Sequence, residues 1–215
     1  MHSSFILKNK TNRTVDIRIN LYSSFCTRKD VADVHKNRRE KVELDFLLAL
    51  QQLHNPILDR VMVAITSLGN AGWLFILIGI VLLCKKNTRK QGGHILLALI
   101  ISVIFCNVFL KDLVARPRPC WLMPEIELLI NIPSDYSFPS GHTSAAVAAA
   151  VSVWMYNKKY GILMLILAIV MAFTRMYLFV HFPTDVLGGM VTGTVSAMMA
   201  GVVIKKFGKR KSLQQ

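Results

Sequence analysis

The chain has 215 residues, of which 53% are hydrophobic and only 18% charged, yet Lys and Arg outnumber Asp and Glu by 26 to 12. So much apolar side chain excludes an ordinary soluble domain and points to a polytopic membrane protein. The net charge of +14 does not point to nucleic acid, because most basic residues sit in tails and short loops between apolar runs, as the positive-inside rule expects.

In chain order, residues 1–43 are polar and basic, without sustained periodicity, and read as an N-terminal tail with no cleavable signal peptide. Residues 44–68 are long enough to cross a bilayer but carry Asp45, Gln51, Gln52, His54, Asn55, Asp59 and Arg60. Pro56 should split them into two amphipathic helices, either an interfacial pair or a broken first span. Five clear transmembrane helices follow, over 71–84 (reaching back toward Val61), 94–110, 141–156, 160–180 and 185–204. The predicted fold is therefore all-α: a membrane helix bundle over 44–205, closed by a basic C-terminal tail over 206–215. Residues 112–138 contain Pro117, Pro119, Pro124 and Pro133 and cannot form one helix; their apolar piece 126–132 could dip into the interface as a lid.

The loops at 85–90 and 157–159 and the C-terminal tail are rich in Lys and Arg and share one side, which should be cytoplasmic. The basic N-terminal tail would then call for an odd crossing by residues 44–68. Cys26, Cys84, Cys106 and Cys120 show no metal-ligand spacing and read as small apolar residues. Trp73, Trp121 and Trp154 lie near span ends and read as interfacial anchors. The small residues Gly189, Gly193, Ala197 and Gly201 recur every four positions in the last span, which suits close helix packing. His54 and His94 read as structural.

Two clusters of ionisable residues fall on the opposite, outward side: Lys111 to His142, and Arg175 to Asp185. Ionisable groups in a membrane bundle are functional hypotheses by default. Ser140 is a natural N-cap, Gly141 permits close backbone approach, and a helix start leaves amide hydrogens pointing outward, so Ser140–Gly141–His142 can hold an anion. Arg175 ends an apolar helix, where an unpaired charge is costly, and should have an anionic partner. His181 and Asp185 are spaced i, i+4, so the carboxylate can orient the imidazole, as a nucleophilic or basic histidine requires. Three cations around two histidines would repel a metal ion but stabilise a phosphate. No metal and no cofactor are expected.

These residues resemble the type 2 phosphatidic acid phosphatase (PAP2) superfamily of integral membrane lipid phosphatases. Lys-x6-Arg-Pro matches Lys111, Arg118 and Pro119; Pro-Ser-Gly-His matches 139–142; Ser-Arg-x5-His-x3-Asp matches Arg175, His181 and Asp185, with Thr174 in place of serine. The resemblance covers about residues 55–205 and implies a bundle of commonly six helices and a metal-independent phosphatase. It implies that His181 attacks phosphorus, Asp185 orients it and His142 protonates the leaving oxygen. Lys111, Arg118, Arg175 and the amides around Ser140 and Gly141 would hold the phosphoryl oxygens.

The expected substrate is a membrane lipid phosphate in the bilayer: an isoprenyl pyrophosphate, phosphatidic acid, diacylglycerol pyrophosphate or phosphatidylglycerol phosphate. The expected location is the plasma membrane with the site facing outward. A phosphotransferase is the close alternative, and a phosphate-lipid transporter without hydrolysis the distant one. A transport path should place polar groups near mid-membrane, and here they gather at one end.

Overall fold

A computed structural model describes residues 38–212, with side chains through Lys206; most of the expected tail at 1–43, Cys26 and the last three residues lie outside it. The described residues form helices and connecting turns with no strand. The last six residues of the expected tail are helical, because α1 runs Arg38–Gln51 and α2 runs Pro56–Leu68. Pro56 occupies the first turn of α2, where its missing N–H costs nothing, and Asn55 caps the helix by accepting from Leu58 N at 2.9 Å.

Left-handed Ala71 (φ 50°) and Gly72 (φ 69°) then turn the chain into α3, Trp73–Cys84. Helices α2 and α3 pass the length and hydropathy requirement for a span only together, bent by 46°. Among the described residues, three further stretches are long and apolar enough to cross a membrane: Lys86–Leu122, Lys158–Tyr177 and Pro183–Lys206. The first contains α4, Arg89–Val103, which widens into a π-helical segment over Ile104–Leu110 and closes as α5, Lys111–Val114. Short α6, Pro119–Leu122, follows. Then come α7, Gly141–Trp154; α8, Lys158–Tyr177; and α9, Pro183–Ser212, which carries the expected C-terminal tail onward as helix.

Helix α7 is the hub, and α4, α8 and α9 all pack on it. Its sequence explains this: Ala145, Ala146, Ala148, Ala149 and Ala150 are all buried, and their short side chains let neighbouring backbones come close. Helix α9 meets it with glycine, where a Cβ on Gly193 would stand 2.4 Å from Ser144 O. At only 14 residues, α7 is shorter than an ordinary span.

A second core lies at the other end of α8, where Leu44, Leu47 and Leu50 of α1 pack with Trp121, Leu122 and Tyr177 to Val180. Trp121 is therefore buried, with Nε1 donating to Pro133 O at 3.1 Å, and is no interfacial anchor. Trp73 and Trp154 are exposed. His94 is structural as expected: buried, with Nε2 within 2.8 Å of Ala197 O.

Candidate active site

All eight residues singled out from the sequence lie at one end of the bundle, and six of them line one cavity of about 1150 Å³: Lys111, Arg118, Gly141, His142, Arg175 and His181. Three local devices bring them together. The π-helical segment turns the chain so that Phe105, Val108 and Phe109 face outward while Cys106 and Lys111 are buried; such wide turns recur at functional sites. Ala115, left-handed at φ 47°, ends α5 and folds Arg116 and Arg118 back over the site. Phe179, at φ 58°, ends the turn after α8 and delivers His181. A buried non-glycine residue in that region is strained, and such strain gathers at functional sites.

Arg118 is the centre of the arrangement. Its Nε donates to Asp135 O at 2.6 Å, Nη2 to Asp135 Oδ1 at 2.7 Å, and Nη1 to Val180 O at 2.8 Å. Nη1 also lies 3.1 Å from His181 Nε2. A guanidinium can only donate, so Nε2 carries the lone pair and Nδ1 the proton. Burial first, then the charges of Arg118, Arg175 and Lys111, hold the His181 imidazole well below its ordinary pKa. The ring is thus neutral at physiological pH, with its free nitrogen beside the Arg118 guanidinium.

The Nδ1 side differs from the expectation. Asp185 Oδ2 is 3.8 Å from Nδ1, too far for a hydrogen bond, and Ser137 Oγ stands between them. Ser137 Oγ donates to Oδ2 at 2.5 Å and lies 3.4 Å from Nδ1, while Phe182 N donates to Oδ2 at 2.8 Å. Asp185 also fixes the glycine turn, since Ser140 N donates to its backbone oxygen at 3.0 Å.

Ser140 occupies the N-cap position of α7, but its side chain caps no amide; its Oγ accepts from Thr143 Oγ1 at 3.0 Å. Gly141 faces Asn107 and Lys111 closely, because a Cβ there would lie 3.2 Å from Asn107 Oδ1 and 4.0 Å from Lys111 Nζ. His142 Nε2 lies 3.1 Å from Asn70 Oδ1, a partner from the kink between α2 and α3. Arg175 is buried and pairs through Nη1 with the hydroxyl of Thr66, not with a carboxylate, and its Nε has no partner among the described residues. A buried arginine without a carboxylate partner can take up an anion.

Sequence reasoning missed Asp135, which pairs with both Lys111 and Arg118. Burial raises its carboxyl pKa, but Arg118 and Lys111 outweigh that and hold it well below the usual carboxylate range. Ser137, Asn70 and Glu43 were also missed, and Arg116 lay in the first cluster without a role. None stands in a motif that isolates it, and only the folded chain brings them to the site.

The cavity continues from these polar groups along an apolar wall of Ile76, Leu96, Leu99, Ile100, Val103 and Ile104. Residues 129–135 also line it, so part of the 126–132 piece expected to dip toward the membrane borders the site.

Known proteins resemble this chain in sequence and in fold. The chain is 31% identical over 175 residues to an undecaprenyl-diphosphatase of Sulfolobus acidocaldarius, covering 81% of this chain and 82% of the relative. It is 32% identical over 144 residues to undecaprenyl-diphosphatase BcrC of Bacillus subtilis, covering 66% and 72%. The crystal structure of a transmembrane PAP2-type phosphatidylglycerolphosphate phosphatase from Bacillus subtilis superposes with a TM-score of 0.65 at 27% identity, over 88% of this chain and 96% of that one. Residues 91–209, which carry every motif residue, match the sequence model of the PAP2 superfamily, and the chain belongs to that family.

Proposed function

We propose that this protein is a lipid phosphatase that removes a terminal phosphate from a membrane lipid phosphate or diphosphate, through a phosphohistidine at His181. The carrying observation is one cavity that joins three cations and two histidines to an apolar wall, which suits an anionic headgroup on a long hydrocarbon tail. Lys111, Arg118 and Arg175 hold the phosphoryl oxygens, together with the amides at the start of α7, and stabilise charge as it spreads over the transferring group. His181 Nε2 forms the bond to phosphorus as the lipid oxygen leaves with a proton from His142. Water then attacks the phosphohistidine, giving its proton to His142 and releasing inorganic phosphate and free His181. Asp185 balances the positive charge that His181 acquires.

An isoprenyl diphosphate is the leading substrate, on the strength of the two undecaprenyl-diphosphatases among the relatives. In the bilayer, the bent pair α2–α3, α4, α7, α8 and α9 make five crossings. The site then opens at the extracytoplasmic face of the plasma membrane, opposite the Lys- and Arg-rich loops.

Phosphate release by detergent-purified protein, in EDTA, tests this reading. The wild type should release phosphate from undecaprenyl diphosphate faster than from phosphatidylglycerophosphate, and His181→Ala should lose at least about a thousandfold in kcat. Release that survives His181→Ala would remove the nucleophile from the scheme. No release from any lipid phosphate would remove the hydrolase.

A further inference from the structure

We infer that Arg116 and Glu43 form a second pair of positioning residues, through which helix α1, outside the matched family region, sets the catalytic carboxylate. The inference rests on the phosphatase reading of His181 and Asp185 above. Asp185 is fully buried, and its two oxygens are divided between two tasks. Oδ2 takes Ser137 and Phe182 N and faces the imidazole, whereas Oδ1 accepts from Arg116 Nη1 at 2.8 Å.

Arg116 is in turn held on three sides. Nη1 also donates to Thr184 Oγ1 at 2.6 Å, Nη2 donates to Glu43 Oε2 at 2.6 Å, and the guanidinium carbon lies 4.0 Å from the centre of the Phe182 ring. Glu43 uses its other oxygen to accept from Thr184 N at 2.8 Å. Glu43, Arg116 and Thr184 thus close a ring at the first turn of α9, one residue before Asp185. The two charged side chains are only 13% and 14% exposed, so solvent screens them weakly.

The arrangement has a chemical purpose. A buried carboxylate needs a counter-ion, and His181 cannot serve while neutral. Arg116 is the cation that contacts Asp185, and it does so from the side away from the imidazole. It holds Oδ1 on the outer side, which leaves Oδ2 facing Nδ1 when His181 gains positive charge. Arg116 does not line the phosphate cavity, so its contribution belongs to turnover and not to substrate capture. Helix α1 is anchored for the task along its length: Leu44, Leu47 and Leu50 are buried, and Gln51 Nε2 donates to Tyr177 O at 3.0 Å.

The test is steady-state kinetics on Arg116→Gln, Arg116→Lys, Glu43→Gln and the Glu43→Gln/Arg116→Gln double variant, each checked for folding by its thermal midpoint in detergent. Arg116→Gln should lower kcat about 10- to 100-fold with KM changed less than about threefold, the loss typical of a misplaced catalytic group. Arg116→Lys should recover part of kcat, because an ammonium restores the charge but cannot span Asp185 and Glu43. Glu43→Gln keeps the shape of the ring and should cost about three- to tenfold in kcat. The double variant should be no worse than Arg116→Gln alone, as expected for one coupled unit. A kcat within about twofold of wild type in Arg116→Gln overturns the inference, as does a loss confined to KM. If Arg116→Gln does not fold, Glu43→Gln decides by the same kcat criterion. An inactive wild type would instead overturn the phosphatase reading on which all of this rests.

Discussion

Asp135 stands among the cations proposed to hold the phosphate. Its carboxylate pairs with Lys111 and Arg118, and at 50% exposure it can swing outward into solvent. A substrate phosphate must therefore displace it or share its partners. Acid does not release it under physiological conditions, because the two cations hold its pKa well below the usual carboxylate range. The sign follows from that direction: the pairing is complete above the ordinary carboxylate pKa and is lost only as pH falls through the depressed one. Asp135→Asn should accordingly tighten inhibition by inorganic phosphate about three- to fivefold, the worth of a partly exposed ion pair. Wild-type inhibition constants at pH 7 and pH 5.5 should differ by no more than the titration of phosphate itself explains. If Asp135→Asn weakens phosphate inhibition, the carboxylate organises the cations and does not compete for them.

At the scale of the element, the close meeting of α7 and α9 places His142 and Asp185 relative to each other. A Cβ on Gly193 would reach 2.4 Å from Ser144 O and 3.0 Å from Ala148 N, both backbone atoms that cannot step aside. Gly193→Ala should therefore push the helices apart, destabilising the fold by about 1–3 kcal/mol and lowering kcat as α7 carries His142 away. Gly93→Ala on α4 is the matched control, since its Cβ would lie 3.8 Å from Leu83 Cδ1, an ordinary contact. Thermal midpoints in detergent should separate the two; an equal, small shift would remove the close-packing argument. The four-residue recurrence of small side chains made this contact legible in the sequence. The buried alanine face of α7 was less so, because alanines say little about which side meets a neighbour. The three cations, two histidines and Asp185 could be read from their motifs. The Ser137 hydroxyl between His181 and Asp185 could not, because no spacing along a proline-rich loop records where its backbone turns.

For the whole molecule, the unsettled question in the sequence was where the N-terminal region lies. The positive-inside rule places a basic tail with the other basic loops, yet the structure ties α1 to the opposite end. Glu43 pairs with Arg116 beside Asp185, and Gln51 reaches Tyr177 at the site end of α8. Helix α2 then descends along α8, with Tyr177 Oη donating to Asp59 Oδ1 at its start and Arg175 meeting Thr66 near its end. One largely buried ion pair, a side-chain hydrogen bond and a leucine face outweigh a statistical preference of loop charge, because separating Glu43 from Arg116 would strand charges in a poorly hydrated place. Helix α1 should therefore lie on the active-site side. In a cysteine-free background, Lys41→Cys and Glu127→Cys, both exposed, should react with a membrane-impermeant maleimide from the same face, and exposed Lys158→Cys only from the other. Labelling of Lys41→Cys together with Lys158→Cys would mean that α1 leaves the site in the membrane, and the Glu43–Arg116 pair could not then operate there.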